Sequence, residues 1–65
     1  MKENKLRGRL GALQMTLTEF ASKMGMSRPT ARNKIDGVVP FNSREITKAI
    51  EVLEIPVSEA HIYFF

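Results

Sequence analysis

Residues 16–37 read TLTEFASKMGMSRPTARNKIDG, and the first part of this segment contains the start and end signals of a short helix. Thr16 and Glu19 form a capping box, because each side chain can accept a hydrogen bond from the backbone amide of the other. The helix therefore starts at Leu17. Gly25 can adopt the positive φ that ends a helix, which leaves about two turns between the two signals.

The second part of the segment predicts another helix over residues 28–35. Ser27 offers its hydroxyl as an N-cap, Pro29 lies in the first turn where its missing amide hydrogen costs nothing, and Gly37 can end the helix in the left-handed region. Only residues 25–27 separate the two helices. Two short helices joined in this way are typical of a helix-turn-helix, in which one helix crosses the DNA backbone and its partner enters the major groove.

The spacing of apolar residues predicts which face of each helix is buried. The buried face of the first helix is expected to comprise Leu17, Phe20, Ala21 and Met24. In the second helix Ala31 and Ile35 form a narrow inward stripe. The outward positions are then basic or polar, with the exception of one proline: Arg28, Pro29, Arg32 and Asn33. The motif also needs a small residue where the helices cross and an apolar residue in the turn, and Ala21 and Met26 meet these needs.

Further helices are predicted on both sides of this segment. A helix at residues 3–13 has one apolar face, formed by Leu6, Leu10 and Leu13. Asn42 and Glu45 repeat the capping-box pattern and start a fourth helix. Its inward face is expected to be Ile46, Ala49, Ile50 and Leu53. Pro56 ends that helix, and a short last helix follows at residues 58–63. The sequence predicts an all-α fold, a compact bundle of about five short helices.

Composition limits the classes of protein that the chain can represent. The 65 residues include no cysteine and 43% hydrophobic side chains, enough for one core and therefore one domain over residues 1–65. No apolar run reaches the roughly 18 residues that cross a bilayer, and no signal-peptide core is present, so we expect a cytoplasmic protein without membrane contact. His61 is the only histidine, and no serine has an evident base partner. We therefore expect no metal, cofactor, small-molecule substrate or catalysis.

The net charge of +3 is distributed unevenly. Residues 1–34 carry eight cationic and two acidic side chains, a balance of +6, whereas residues 35–65 carry two cationic and five acidic ones, a balance of −3. The basic half contains most of the predicted helix-turn-helix. Phosphate contacts are expected there, and they would make binding to a nucleic acid strongly dependent on salt.

The segment quoted above resembles a known family. Its residues 16–30, closed by Ile35-Asp36-Gly37, look like the Cro/CI-type helix-turn-helix of phage repressors and related bacterial regulators. Similarity to very short, prophage-encoded Cro-like proteins extends to KLRG at 5–8, PF at 40–41, EI at 45–46 and YFF at 63–65. The resemblance implies a lambda-repressor-like domain that binds double-stranded operator DNA sequence-specifically. It also implies a transcriptional repressor, a homodimer at least on DNA, with residues 28–35 as the recognition helix.

The resemblance implies roles for individual side chains as well. Base edges would be contacted by Arg28, Pro29, Arg32 and Asn33. The chemistry agrees, because arginine bonds bidentately to guanine, asparagine bonds to adenine, and proline offers apolar contact to a thymine methyl group. A second set would contact phosphates and position the protein without specifying sequence. This set comprises Thr16, Thr18, Ser27, Thr30 and Lys34.

Two residues depart from the pattern of that family. Leu17 stands where a phosphate-binding glutamine is common, and Asp36 stands where asparagine is common. The Asp36 carboxylate would repel the DNA backbone unless it is turned away or paired with Arg32 or Lys34. Either Asp36 serves only the helix end or the protein docks slightly differently. The same departures support an alternative function, a helix-turn-helix-fold protein-interaction module such as an antirepressor.

Three aromatic residues stand together at positions 63–65, namely Tyr63, Phe64 and Phe65. They either fold back onto the core or form a subunit contact, and the two roles can coexist. A dimer would recognise two half-sites about 34 Å apart with twofold symmetry. Binding of single-stranded RNA is disfavoured, because the sequence predicts no exposed aromatic platform for base stacking.

Overall fold

A computed structural model of the protein describes residues 4–64 and contains five α-helices. They are α1 (Lys5–Ala12), α2 (Leu17–Met24), α3 (Arg28–Ile35), α4 (Ser43–Val52) and α5 (Ala60–Phe64). One turn of 3-10 helix, Val57–Glu59, precedes α5. No strand occurs in this part of the chain. The predicted all-α fold of about five short helices is confirmed.

α2 and α3 have the boundaries that the sequence predicts. Thr16 and Glu19 make both hydrogen bonds of the capping box, each at 3.1 Å. Gly25 has a φ of 73°, and the Met26 amide donates to the Ala21 carbonyl at 3.0 Å, which closes the end of α2. Ser27 then caps α3 by accepting a hydrogen bond from the Thr30 amide. The two helices and their three-residue turn are consistent with a helix-turn-helix.

α1 is shorter than the predicted helix at residues 3–13. It begins at Lys5 because the Asn4 side chain acts as its N-cap, accepting a hydrogen bond from the Arg7 amide at 3.1 Å. Asparagine is among the best N-caps. Glu3, the predicted start of the helix, lies outside the described residues. The Asn4 side-chain amide also donates to the Ile35 carbonyl at 3.3 Å and so ties the start of α1 to the end of α3.

α4 starts at the predicted Asn42 cap and ends one residue before Leu53. The two carbonyls that follow α4 accept hydrogen bonds from α1, because the Arg9 guanidinium donates to the Leu53 carbonyl at 2.8 Å and to the Glu54 carbonyl at 2.6 Å. The last helix differs from the prediction of residues 58–63, because the chain first makes the 3-10 turn. Within the described residues, no helix is both long and apolar enough to cross a membrane.

The core lies where α1, α2, α3 and α4 meet. Phe20 and Leu53 are fully buried, and Ala31 and Ala49 are small enough to let their helices approach closely. The other buried apolar residues are Leu6, Leu10, Ala21, Met24, Ile35, Ile55 and Ala60. Met26 packs against this core from the turn, as expected. Leu17 differs from the prediction: it contacts the core but remains half-exposed, because it occupies the first position of α2 at the molecular edge.

The C-terminal aromatic residues pack against the same core. Tyr63 and Phe64 are half-buried on it. The Phe64 ring meets the Phe41 ring edge to face, with 5.3 Å between centroids and an interplanar angle of 88°. Phe65, which completes the predicted aromatic group, lies outside the described residues. α5 therefore packs on the core beside α1.

Candidate nucleic-acid interface

The two sides of α3 have opposite character. Ala31 is fully buried and Ile35 is 4% exposed, so the helix is fixed to the core by two apolar side chains. The remaining positions of its first two turns are exposed: Arg28, Pro29, Thr30, Arg32 and Asn33. The predicted inward stripe is confirmed. The predicted outward residues are accessible to a partner.

One open groove gathers the four predicted base-contact residues. Arg28, Pro29, Arg32 and Asn33 all line it. The other walls are formed by residues of three neighbouring segments, namely Arg7, Leu17, Asp36 and Val38. The side chains of Arg28 and Asn33 make no hydrogen bond or ion pair within residues 4–64, so their donor and acceptor groups are available to a ligand. The groove thus combines two unengaged polar groups with apolar surface.

Asp36, one of the two residues that depart from the Cro/CI pattern, faces this groove and is paired there. Its Oδ1 accepts from the Arg7 Nε at 2.9 Å and lies 2.7 Å from Arg7 Nη2. Arg32 Nε lies 3.7 Å from the other oxygen, Oδ2, across one helical turn. The predicted pairing with Arg32 is therefore present, Lys34 is not involved, and the main partner is Arg7. Sequence reasoning missed Arg7, because its contact spans 29 residues and has no periodic signal.

Lys34 lies on the opposite side of α3 from the groove residues and is engaged in the fold. Its Nζ contacts Glu45 Oε1 at 2.5 Å and lies 6.0 Å from the centre of the Phe41 ring. Only 11% of the side chain is exposed. The hydrogen bond from Lys34, followed by that from the Asn42 amide, lowers the pKa of the Glu45 carboxyl. The arrangement links α3 to the start of α4, and a phosphate contact would require Lys34 to leave Glu45.

The hydroxyl groups predicted to contact phosphate differ in availability. The Thr16 hydroxyl donates to the Glu19 carboxylate at 3.1 Å, and hydrogen bonds from the Thr16 amide and hydroxyl lower the pKa of Glu19. The Ser27 hydroxyl donates to Thr30 Oγ1 at 2.8 Å. Thr30 accepts that bond and keeps its own proton for a ligand. Thr18 is exposed in the first turn of α2. Thr18 and Thr30 are thus the better-placed donors.

Residues 4–64 contain no group of three or more histidine, cysteine, aspartate or glutamate side chains close enough to hold a metal ion. The groove is lined instead by guanidinium, amide and apolar groups, together with the paired carboxylate of Asp36. Such a surface can donate several hydrogen bonds to acceptor atoms and offer apolar contact beside them.

Comparisons with known proteins identify a family for this chain but match no individual protein. The search of curated proteins produced no match, and the search of solved structures produced none either. One family model matches residues 3–65, which is nearly the whole chain. The chain therefore belongs to the family described as "Protein of unknown function (DUF739)".

Proposed function

We propose that the protein is a sequence-specific, double-stranded DNA-binding transcriptional regulator of the Cro/CI type, a prophage-type repressor that acts in the cytoplasm. In this proposal α3 enters the major groove, α2 lies across the DNA backbone, and repression results from occupation of a promoter. Neither catalysis nor a cofactor is involved. The proposal rests on the resemblance of residues 16–37 and on the geometry of α3.

The outward face of α3 is the observation that carries this proposal. Four side chains whose chemistry suits base edges share one groove, and none of them belongs to the core. Arg28 and Asn33 retain all their hydrogen-bonding groups, so bidentate contacts to guanine and adenine would replace only contacts with water.

Charge and surface composition favour a duplex over a single strand. The groove carries three arginines, Arg7, Arg28 and Arg32, and one acidic residue. The large hydrophobic side chains that are strongly exposed within residues 4–64 are aliphatic: Val38, Val39, Val57 and Ile62. Single-stranded nucleic acids are bound mainly by stacking of bases on aromatic side chains, and the aromatic rings within residues 4–64 are buried or half-buried.

Selection of bound duplexes from a random pool tests the proposal. We expect an enriched consensus, and we expect its affinity to fall with salt with a logarithmic slope of about −0.9 per phosphate contact. A palindromic consensus would also support binding as a homodimer, with half-sites about 34 Å apart. The proposal is wrong if the folded protein enriches no sequence and shows no salt-sensitive affinity for duplex DNA.

A specific observation favours a second candidate function, a protein-interaction module such as an antirepressor. Leu17, Pro29 and Val38 give the groove an apolar part, and 71% of the Val38 side chain is exposed. An apolar patch rimmed by charged groups is typical of protein contacts. Under this alternative, Val38→Asp abolishes binding to a partner repressor and duplex DNA shows no salt-sensitive binding. The DNA-binding proposal predicts the reverse dependence, with Arg28→Ala more damaging than a loss of apolar surface.

A further inference from the structure

Asp36 is the only acidic residue among those that line the groove. At the end of α3 it stands beside the same residues that the proposed function assigns to DNA. A carboxylate placed there is unfavourable for a polyanionic ligand, because two like charges about 4 Å apart repel each other by roughly 1 kcal/mol even in water. A purely structural role at the helix end would not require the charge, since Asp36 caps α3 through its backbone amide.

The carboxylate instead occupies two arginines that would otherwise be available to phosphates. Arg7 donates to Oδ1 through Nε, at 2.9 Å, and Nη2 lies 2.7 Å from the same oxygen. Arg32 approaches Oδ2 more loosely, at 3.7 Å. A phosphate oxygen would bind the same guanidinium groups by the same charge-assisted hydrogen bonds. Asp36 and a phosphate are therefore alternative ligands for Arg7 and Arg32.

The contacts are exposed enough to be exchanged. The side chains of Arg7 and Asp36 are 49% and 30% exposed, and that of Arg32 is 69% exposed. Ion pairs at this level of exposure are weak, and their partners can be replaced by other ions without disturbing a core. This pair differs from Lys34 and Glu45, whose side chains are 11% and 22% exposed. We therefore expect the fold to tolerate breaking the Asp36 contacts.

We propose that Asp36 competes with phosphate groups for Arg7 and Arg32 and thereby weakens the sequence-independent part of DNA binding. The inference rests on the proposed function, which it deepens. On a non-target duplex, phosphate contacts are the main source of affinity, so the competition is measured there most directly. On the target duplex, base contacts from Arg28 and Asn33 add affinity that Asp36 does not oppose.

The direct test replaces Asp36 and measures binding to a duplex without the selected consensus. For Asp36→Asn we expect non-specific affinity to rise about fivefold or more. The salt dependence should become steeper by about 0.9 for each arginine that gains a phosphate. Glu51→Gln is the matched control, because it removes one acidic charge from an exposed position of α4 outside the groove. The inference is overturned if the two variants change non-specific affinity equally.

A double-mutant cycle locates the effect. If Asp36 acts by occupying Arg7, the gain from Asp36→Asn should shrink by half or more when Arg7 is already alanine. A gain of the same size in both backgrounds, together with an unchanged salt slope, contradicts competition for Arg7. Circular dichroism of each variant shows whether it is folded.

A measurement on the unmodified protein tests the competition between Asp36 and phosphate, and it does not depend on whether Asp36→Asn folds. The Nε–H signals of the arginines are followed by NMR while inorganic phosphate is added. Competition predicts that Arg28, which has no carboxylate partner among residues 4–64, responds at a lower phosphate concentration than Arg7. Equal responses overturn the inference. Because this titration contains no DNA, it separates failure of the inference from failure of the proposed function, which absence of duplex binding by the wild type would show.

Discussion

The inward and outward sides of α3 belong to the same eight residues, yet they differ in burial and in the contacts of their side chains. On the inward side, Ala31 and Ile35 are buried, and Lys34 is held by Glu45 against the start of α4. On the outward side, the side chains of Arg28 and Asn33 make no hydrogen bond or ion pair within residues 4–64. Adjacent positions, such as Asn33 and Lys34, therefore have separate physical roles. Under the proposed function, stability and recognition can therefore be changed independently within one short helix.

The largest effect is expected when apolar volume is removed from the inward side of α3. Ile35→Ala should lower the free energy of unfolding by about 2–5 kcal/mol, because it leaves a cavity where α3 meets the core. Val38→Ala is the matched control. It removes similar apolar groups from an exposed position just beyond the helix and should change stability by less than about 0.5 kcal/mol. Urea unfolding measures both, and equal losses would contradict the assignment of the two sides.

Substitutions on the outward side should affect recognition and leave stability almost unchanged. Arg28→Ala and Asn33→Ala should each relax preference at one base pair by about 1–3 kcal/mol, the value of one bidentate contact. Competition between the selected duplex and single-base variants measures this preference, and thermal unfolding checks the fold. If either variant weakens binding to all sequences equally, its side chain contacts phosphate and not a base.

Lys34→Ala sharpens the comparison at the boundary between the sides. We expect a loss of about 1–2 kcal/mol in the free energy of unfolding, because a partly buried charge-assisted hydrogen bond to Glu45 is lost. Lys48→Ala, at an exposed position of α4, should have little effect. If Lys34→Ala leaves stability unchanged and weakens binding to every duplex, the result would instead support the phosphate contact that the sequence predicts for Lys34.

The smallest expected effect concerns pH. Folding lowers the pKa of Glu45, chiefly through Lys34, so the associated stability is fully present above the ordinary value of 4.5 and is lost as the pH falls through the lowered pKa. Glu19 contributes with the same sign, through its hydrogen bonds from Thr16. The loss of stability between pH 6 and pH 3 should be smaller in Glu45→Gln than in wild type. Glu51→Gln, which removes an exposed carboxyl of α4, should retain the wild-type loss.

Local signals were sufficient to predict most of the helices. The capping residues Thr16 and Asn42, with a glutamate three positions later, and the left-handed Gly25 act within a few residues of one another. The predicted start of α1 is wrong although its signal is local. The Asn4 N-cap sets this boundary, and the apolar period that follows it does not. Helical boundaries here depend on side-chain caps more than on apolar spacing.

Contacts that join distant segments could not be predicted in the same way. Arg7 meets Asp36, Arg9 meets Leu53, and Lys34 meets Glu45 only after the helices have packed. In the sequence all the cations concerned are equivalent surface charges, and nothing in their spacing identifies their partners. The outward direction of Arg28, Arg32 and Asn33 was predictable, because it follows from the position of Ala31 and Ile35 on the same helix.

The separation of the two sides of α3 has a consequence for how such proteins diverge. Arg28, Arg32 and Asn33 can vary with almost no constraint from folding, since only Pro29 among the groove residues of α3 also helps to start the helix. Under the proposed function, duplicated copies of the gene could therefore keep one scaffold and acquire new targets by changing three codons. A library randomised at these positions should consist mostly of folded proteins, which makes the chain a small starting point for selecting new binders.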